Sequence, residues 1–324
     1  MKKLKIIYDN TEIGINGNIF RMFPHFIDMP KDEIIYLDVK NIFLGNDGNI
    51  WDKFFYQPFS KNIIEINQKI KKKEYVRVRW DSKRDYEITY NDKITVYNCE
   101  TISKYRDNFK KFIKFREPII ERVNNFKIKN QLENTLSIHL RGGDRFSTSS
   151  HAPNQRDFLN IENITLIINK YLDKKECTNI FLATDEEGLY LSLKKVYGDI
   201  IIKNDTYLAP PTDNRSVHKV GVFQSNEVKF RRGLDVLTDA ILMSQCKFSL
   251  FMTSQVSFLS LMLRDDFEYY FMKILLLLTM FLTSCSLPGN LFSLPNNDQR
   301  LETLNLLNQN SFKEETLETP YFEI

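Results

Sequence analysis

"NIFLATDEEGLYLSLKKVYGDIIIK", residues 179–203, decides the fold class. The apolar run of 179–184 is the mark of a strand buried on both faces. "EEGLYLSLKKVYG" (186–198) then reads as an amphipathic helix stopping at a glycine, and "DIIIK" (199–203) as the next strand. The same alternation continues to either side. Upstream lie an apolar strand at Leu136–Leu140 and a helical pattern in "IENITLIINKYL" (161–172). Downstream come a helix at "RGLDVLTDAILMSQC" (232–246), a strand at "KFSLFM" (247–252) and a helix at "SQVSFLSLMLR" (254–264). Strands alternating with helices predict an α/β fold with a parallel sheet covered on both faces. Ligands of such sheets bind at the carboxyl ends of the strands.

Residues 1–130 are less regular. "KLKIIY" and "EIIYLDV" read as strands, and "SKYRDNFKKFIKFREPIIERVNNF" (103–126) as a helix that holds Pro118 and forms the hinge. This stretch is expected to form a second, smaller α/β unit. The segment 204–230, with its paired prolines, reads as a long loop facing the cleft. The expected division is therefore 1–130, 131–271 and a distinct tail, 272–324.

Composition narrows the function. The chain has 324 residues, 42% hydrophobic and 27% charged, which is globular and long enough for two cores. A net charge of +3 gives no reason to expect nucleic acid, and the basic run from Lys69 to Arg84 reads as solvated surface. Cys99, Cys177, Cys246 and Cys285 lie far apart, with no histidine at ligand spacing. No metal site or disulfide framework is expected, and a reducing, cytoplasmic setting fits.

Four polar clusters stand where strands stop or helices start. His139-Leu-Arg141-Gly142-Gly143-Asp144 combines an arginine fork with two glycines that let backbone N–H groups approach an anion. The others are Thr184-Asp185-Glu186-Glu187, Arg231-Arg232-Gly233-Leu234-Asp235, and Thr253-Ser254-Gln255 at a helix start suited to a diphosphate. Each has a plainer reading. Thr184 to Glu187 fits a capping box, Ser254 a helix cap, Asp235 a dipole partner in a first turn, and His139 a hydrogen-bonded core residue. Their collection at successive strand ends favours a shared site.

"SIHLRGGD", "IFLATDEE" and "RRGLDVLTDAILMSQCKFSLFMTSQVSFLSLML", in this order, resemble the three motif regions of the fucosyltransferase superfamily, nearest the α1,6- and protein O-fucosyltransferases. "IWDKFFYQPF" (50–59) resembles a tryptophan-containing segment of their N-terminal domain. The resemblance implies a GT-B architecture of two Rossmann-like domains whose parallel sheets face a cleft. It also implies a GDP-fucose donor, a glycan acceptor, inversion at the anomeric carbon and no required metal. Within it Arg141 corresponds to the arginine on the β-phosphate, and His139, Gly142, Gly143 and Asp144 to the same nucleotide-binding motif. Asp185 and Asp235 correspond to nucleotide-side carboxylates, with Asp235 facing the guanine edge, and Ser254 and Gln255 to groups on the diphosphate. Gly142 stands where many members have a second arginine, and Ser149 where the α1,6 enzymes have their proposed base. His151 is the nearby alternative base. A tryptophan-rich third motif, as in α1,2-fucosyltransferases, is missing.

From Met272, "MKILLLLTMFLTSCSLPGN" resembles a lipoprotein signal with Cys285 at the lipobox position. It reads as a fused reading frame, as a peripheral membrane contact through 272–287 at the inner face, or as a last helix of the fold. The apolar run is short for a spanning helix.

Overall fold

In the computed structural model, the residues described are 2–9, 15–22, 24–27, 29–41, 44, 48–79, 87–90, 94–97, 99–141, 161–209, 224–252, 254–264 and 268–272. The lipoprotein-signal-like tail beyond Met272 lies outside them.

The N-terminal half is built on a parallel sheet of β1 (Lys3–Asp9), β2 (Glu33–Val39) and β3 (Tyr75–Arg79), in the order β2-β1-β3. The basic run read from sequence as solvated surface therefore contains an edge strand. In "YVRVR" the alternation that makes the strand is hidden among charges, because this strand leaves Tyr75 and Val76 exposed. Around the sheet lie helices α1 (Ile15–Met22), α2 (Pro24–Ile27), α3 (Trp51–Phe54) and α4 (Ile63–Lys72). A hairpin of β4 (Glu87–Tyr90) and β5 (Ile94–Tyr97) precedes α5 (Cys99–Phe112). Helix α6 (Glu117–Lys129) follows, with Pro118 in its first turn, where a missing N–H costs nothing. The 103–126 pattern is thus two helices that part just before Pro118.

The tryptophan segment shields the other edge of this sheet. Val39 N–H donates to Asn49 Oδ1 at 2.9 Å, and Leu37 N–H donates to Gln57 Oε1 at 3.0 Å. Asn49 Nδ2 and Gln57 Nε2 both donate back to Leu37 O. Two side-chain amides thereby do the work of a neighbouring strand. Both amides also donate to the Asp52 carboxylate, which fixes the turn that buries Trp51, Phe54 and Phe55.

The C-terminal half holds a five-stranded, wholly parallel sheet, β10-β9-β6-β7-β8. Its strands are β6 (Thr135–Leu140), β7 (Asn179–Thr184), β8 (Ile201–Ile202), β9 (Phe248–Phe251) and β10 (Tyr269–Phe271). The helices are α7 (Ile161–Lys175), α8 (Glu187–Tyr197), α9 (Asn226–Gln245) and α10 (Gln255–Leu263). Strand order reverses between β6 and β9, so the crevice at their carboxyl ends is the topological switch point. One face of the sheet packs Ile138, Ile180, Leu182 and Leu250 on Ile164, Ile168 and Tyr171. The other face joins Phe181, Ala183 and Phe251 to a cluster running through α9 and α10 into Trp51, Phe54, Phe109 and Ile35 of the N-terminal half.

Two expectations are corrected here. Helix α9 starts at Asn226, not at Arg232, because Ser225 caps it by accepting from Val228 N–H at 3.3 Å. Asp235 consequently lies mid-helix, and its reading as a first-turn dipole partner fails. The capping box at Thr184 does not form either. The cap of α8 is Glu186, whose side chain makes no capping bond, while Thr184 Oγ1 accepts from Glu186 N–H at 3.3 Å.

Candidate active site

A cavity of about 150 Å³ opens at the switch point. His139 and Arg141 at the end of β6 line it, with Thr184 and Asp185 at the end of β7 and Ser254 and Gln255 at the start of α10. Its remaining wall is Arg232, Gly233, Asp235 and Asp239 of α9 with Thr206 and Tyr207. Six of the sequence's site residues, His139, Arg141, Asp185, Asp235, Ser254 and Gln255, are thus brought together. Gly142, Gly143, Asp144 and His151 lie outside the described residues.

His139 is buried and bonded rather than poised to titrate. Its Nδ1 lies 2.9 Å from Ser257 Oγ and 3.1 Å from Ser254 Oγ. Ser257 Oγ in turn donates to Met252 O at 2.7 Å, so the imidazole is anchored through a hydroxyl to the end of β9. Burial, reinforced by the Arg141 charge, pushes the imidazole pKa down to about 3. The ring is neutral and acts as a brace across the switch point. Ser254 caps α10, accepting from Ser257 N–H at 3.2 Å, which aims the helix N-terminus at the crevice. On the neighbouring side Arg141 N–H donates to Met252 Sδ at 3.2 Å, tying the end of β6 to the end of β9.

The facing wall is acidic and tightly held. Asp235 is 4% exposed. Arg122 Nη1 lies 2.6 Å from its Oδ1, and Tyr207 N–H donates to its Oδ2 at 3.2 Å. Burial raises the Asp235 pKa, against the pull of Arg122. One helical turn further, Asp239 accepts from Asn204 Nδ2 at 3.1 Å. Burial raises its pKa to about 8, opposed by Asn204 and aided by Asp235. The Arg232 guanidinium rests 4.3 Å from the centre of the Tyr207 ring.

Sequence reasoning missed Asp239 and Arg122, whereas Arg232 of the "RRGLD" cluster does line the wall. Asp239 left a signal, a carboxylate inside "LTDAILM" with apolar neighbours on both sides. Arg122 left none, since on α6 it reads as one more solvated charge.

No family model matches the chain, and no curated protein matches it. Solved structures do. The chain is similar to the NodZ α1,6-fucosyltransferase soaked with GDP-fucose at 12% identity and a TM-score of 0.51, over 82% of this chain and 94% of that one. It aligns with fucosyltransferase NodZ from Bradyrhizobium at 11% identity (TM-score 0.48; 80% and 93% covered). With POFUT1 in complex with GDP-fucose the identity is 10% (TM-score 0.36; 83% and 74% covered). The chain has the α/β, GT-B fold of the NodZ structure soaked with GDP-fucose. The crevice at the strand ends, where Arg141, a capped helix terminus and two carboxylates converge, is the candidate site.

Proposed function

We propose that this chain is an inverting glycosyltransferase that moves fucose from GDP-fucose to a glycan hydroxyl. The observation carrying the reading is the pairing, across one crevice, of an anion-seeking wall with an acidic one. Arg141 and the Ser254-capped N-terminus of α10 offer positive charge and N–H donors for a diphosphate. Asp235 and Asp239, opposite, offer acceptors for a base that presents N–H donors, as guanine does. In this reading Arg141 offsets the negative charge that develops on the departing GDP, the acceptor hydroxyl attacks from the far side of the sugar, and no metal is called for. A cytoplasmic role in bacterial surface-polysaccharide synthesis is the setting that fits the reading. The similarity of the fold to a NodZ structure soaked with GDP-fucose supports the donor.

The test is binding followed by turnover. GDP should raise the midpoint of thermal unfolding while UDP leaves it unchanged, because only guanine matches the acidic wall. Arg141→Ala should lower fucose transfer from GDP-fucose by about 10²–10³. Equal shifts with both nucleotides would remove the guanine assignment. Binding of GDP without donor turnover by the wild-type chain would leave a nucleotide-binding protein rather than a transferase.

A further inference from the structure

Helix α6 belongs to no motif, yet one of its side chains reaches the pocket's acidic wall. Arg122 spreads three contacts over it: Nη1 to Asp235 Oδ1 at 2.6 Å, Nε to Asn204 Oδ1 at 3.3 Å, and Nη2 to the Asp205 carbonyl at 2.5 Å. Asn204, held this way, turns its amide N–H toward Asp239 Oδ1 at 3.1 Å. One guanidinium thus touches Asp235 directly and Asp239 through a single buried amide. Asn204 is 3% exposed and the Asp235 side chain 5%, so water does little of this work. The planar fork suits the task, because it meets a carboxylate, an amide oxygen and a carbonyl at once.

We infer that Arg122 is a positioning residue for nucleotide recognition: it keeps Asp235 oriented and ionised, and Asp239 oriented through Asn204, as acceptors for the base. The inference rests on the nucleotide reading above. Two carboxylates one helical turn apart oppose each other's ionisation, and burial opposes both. The groups facing them are Arg122 on α6, Arg231 and Arg232 on α9, Lys203 beyond β8, and Tyr207. Of the arginines, Arg231 pairs with Asp205 at 2.7 Å and Arg232 stacks on Tyr207. Arg122 is the one in ion-pair contact with the wall among the described residues.

The experiment compares Arg122→Gln and Arg122→Lys with wild type for GDP affinity between pH 6 and 8.5. Without the cation the Asp235 carboxyl should protonate at higher pH, so the acid limb of GDP binding moves up. Arg122→Gln should bind about tenfold more weakly at pH 6.5, the gap closing toward pH 8.5, since each pH unit of displacement is a factor of ten. Arg122→Lys should recover part of the profile. A gap of the same size at every pH would mean a merely structural arginine, and no gap at all would also overturn the inference. A readout without ligand guards against a failed nucleotide reading: the ¹³C carboxyl titration of Asp235 should move to higher pH in Arg122→Gln. If wild type never binds GDP, the nucleotide reading falls, and an unmoved Asp235 titration would separately sink the role of Arg122.

Discussion

His139 and Asp239 are buried in opposite senses, and together they set the shape of stability against pH. The histidine titrates near 6.5 in the unfolded chain and near 3 when folded. The unfolded state therefore binds the extra proton, and stability falls as pH drops below about 6.5. Asp239 titrates near 3.8 unfolded and near 8 when folded. Here the folded state holds the extra proton, so stability falls as pH rises from about 4 toward 8. The two slopes offset each other between about pH 4 and 6.5, and outside that window one acts alone. Asp239→Asn keeps an oxygen that accepts from Asn204 but removes the ionisation. Its stability relative to wild type should improve by about 1–3 kcal/mol between pH 5 and 7.5, each unit of linked titration amounting to about 1.4 kcal/mol at most. Urea unfolding at the two pH values checks this. Parallel behaviour of variant and wild type would mean that Asp239 is not the titrating group.

At the scale of elements, α9 is held against α3 by the glycine of the "RRGLD" stretch. A Cβ on Gly233 would lie 2.3 Å from Phe54 Cζ and 2.7 Å from its Cε1. Phe54 cannot give way easily, because it is fully buried, and its ring lies 5.0 Å from Phe230. Gly233→Ala should cost about 1–3 kcal/mol, the usual range for overpacking, even though alanine is the better helix former. Adding Phe54→Leu should return part of that loss in a denaturation series. A double variant no more stable than Gly233→Ala would place the clash elsewhere. From sequence this glycine read as the start of a helix, since a local pattern cannot show which ring lies above it. What was legible follows the same logic. The strands β6, β7 and β9 are apolar runs that end abruptly in polar groups, and Ser254 is a cap with its helix directly behind it. A strand of alternating valine and arginine at an exposed edge, a three-residue strand such as β10, and the pairing of Arg122 with Asp235 carry no such local mark. Each depends on residues far apart in the chain.

For the whole molecule, each sheet has a cluster of its own on its outer face, but their inner faces share one core. The cluster that buries Ile7, Ile35 and Trp51 beside β1 and β2 continues without a break through Phe54, Phe109 and Leu237 to Phe251 and Phe258. Phe20 of α1 meets Phe258 of α10 edge-on at 4.5 Å, and Arg106 of α5 donates to Leu261 O of α10 at 3.0 Å. The donor-side helix α10 is therefore packed by the N-terminal half as well as by its own sheet. Opening the first half would strip the apolar cover from the helix whose N-terminus faces the crevice. Unfolding should accordingly be a single cooperative event for both halves. Trp51 reports on the N-terminal half, once Trp80 is replaced by phenylalanine so that one indole remains. In urea, Trp51 emission and far-ultraviolet circular dichroism should give the same midpoint and the same slope, because one transition exposes the whole cluster. An indole transition at clearly lower urea than the loss of helix would show that the first half opens alone. GDP, bound on the C-terminal side, should then shift only the later transition; under a shared core it moves both signals together.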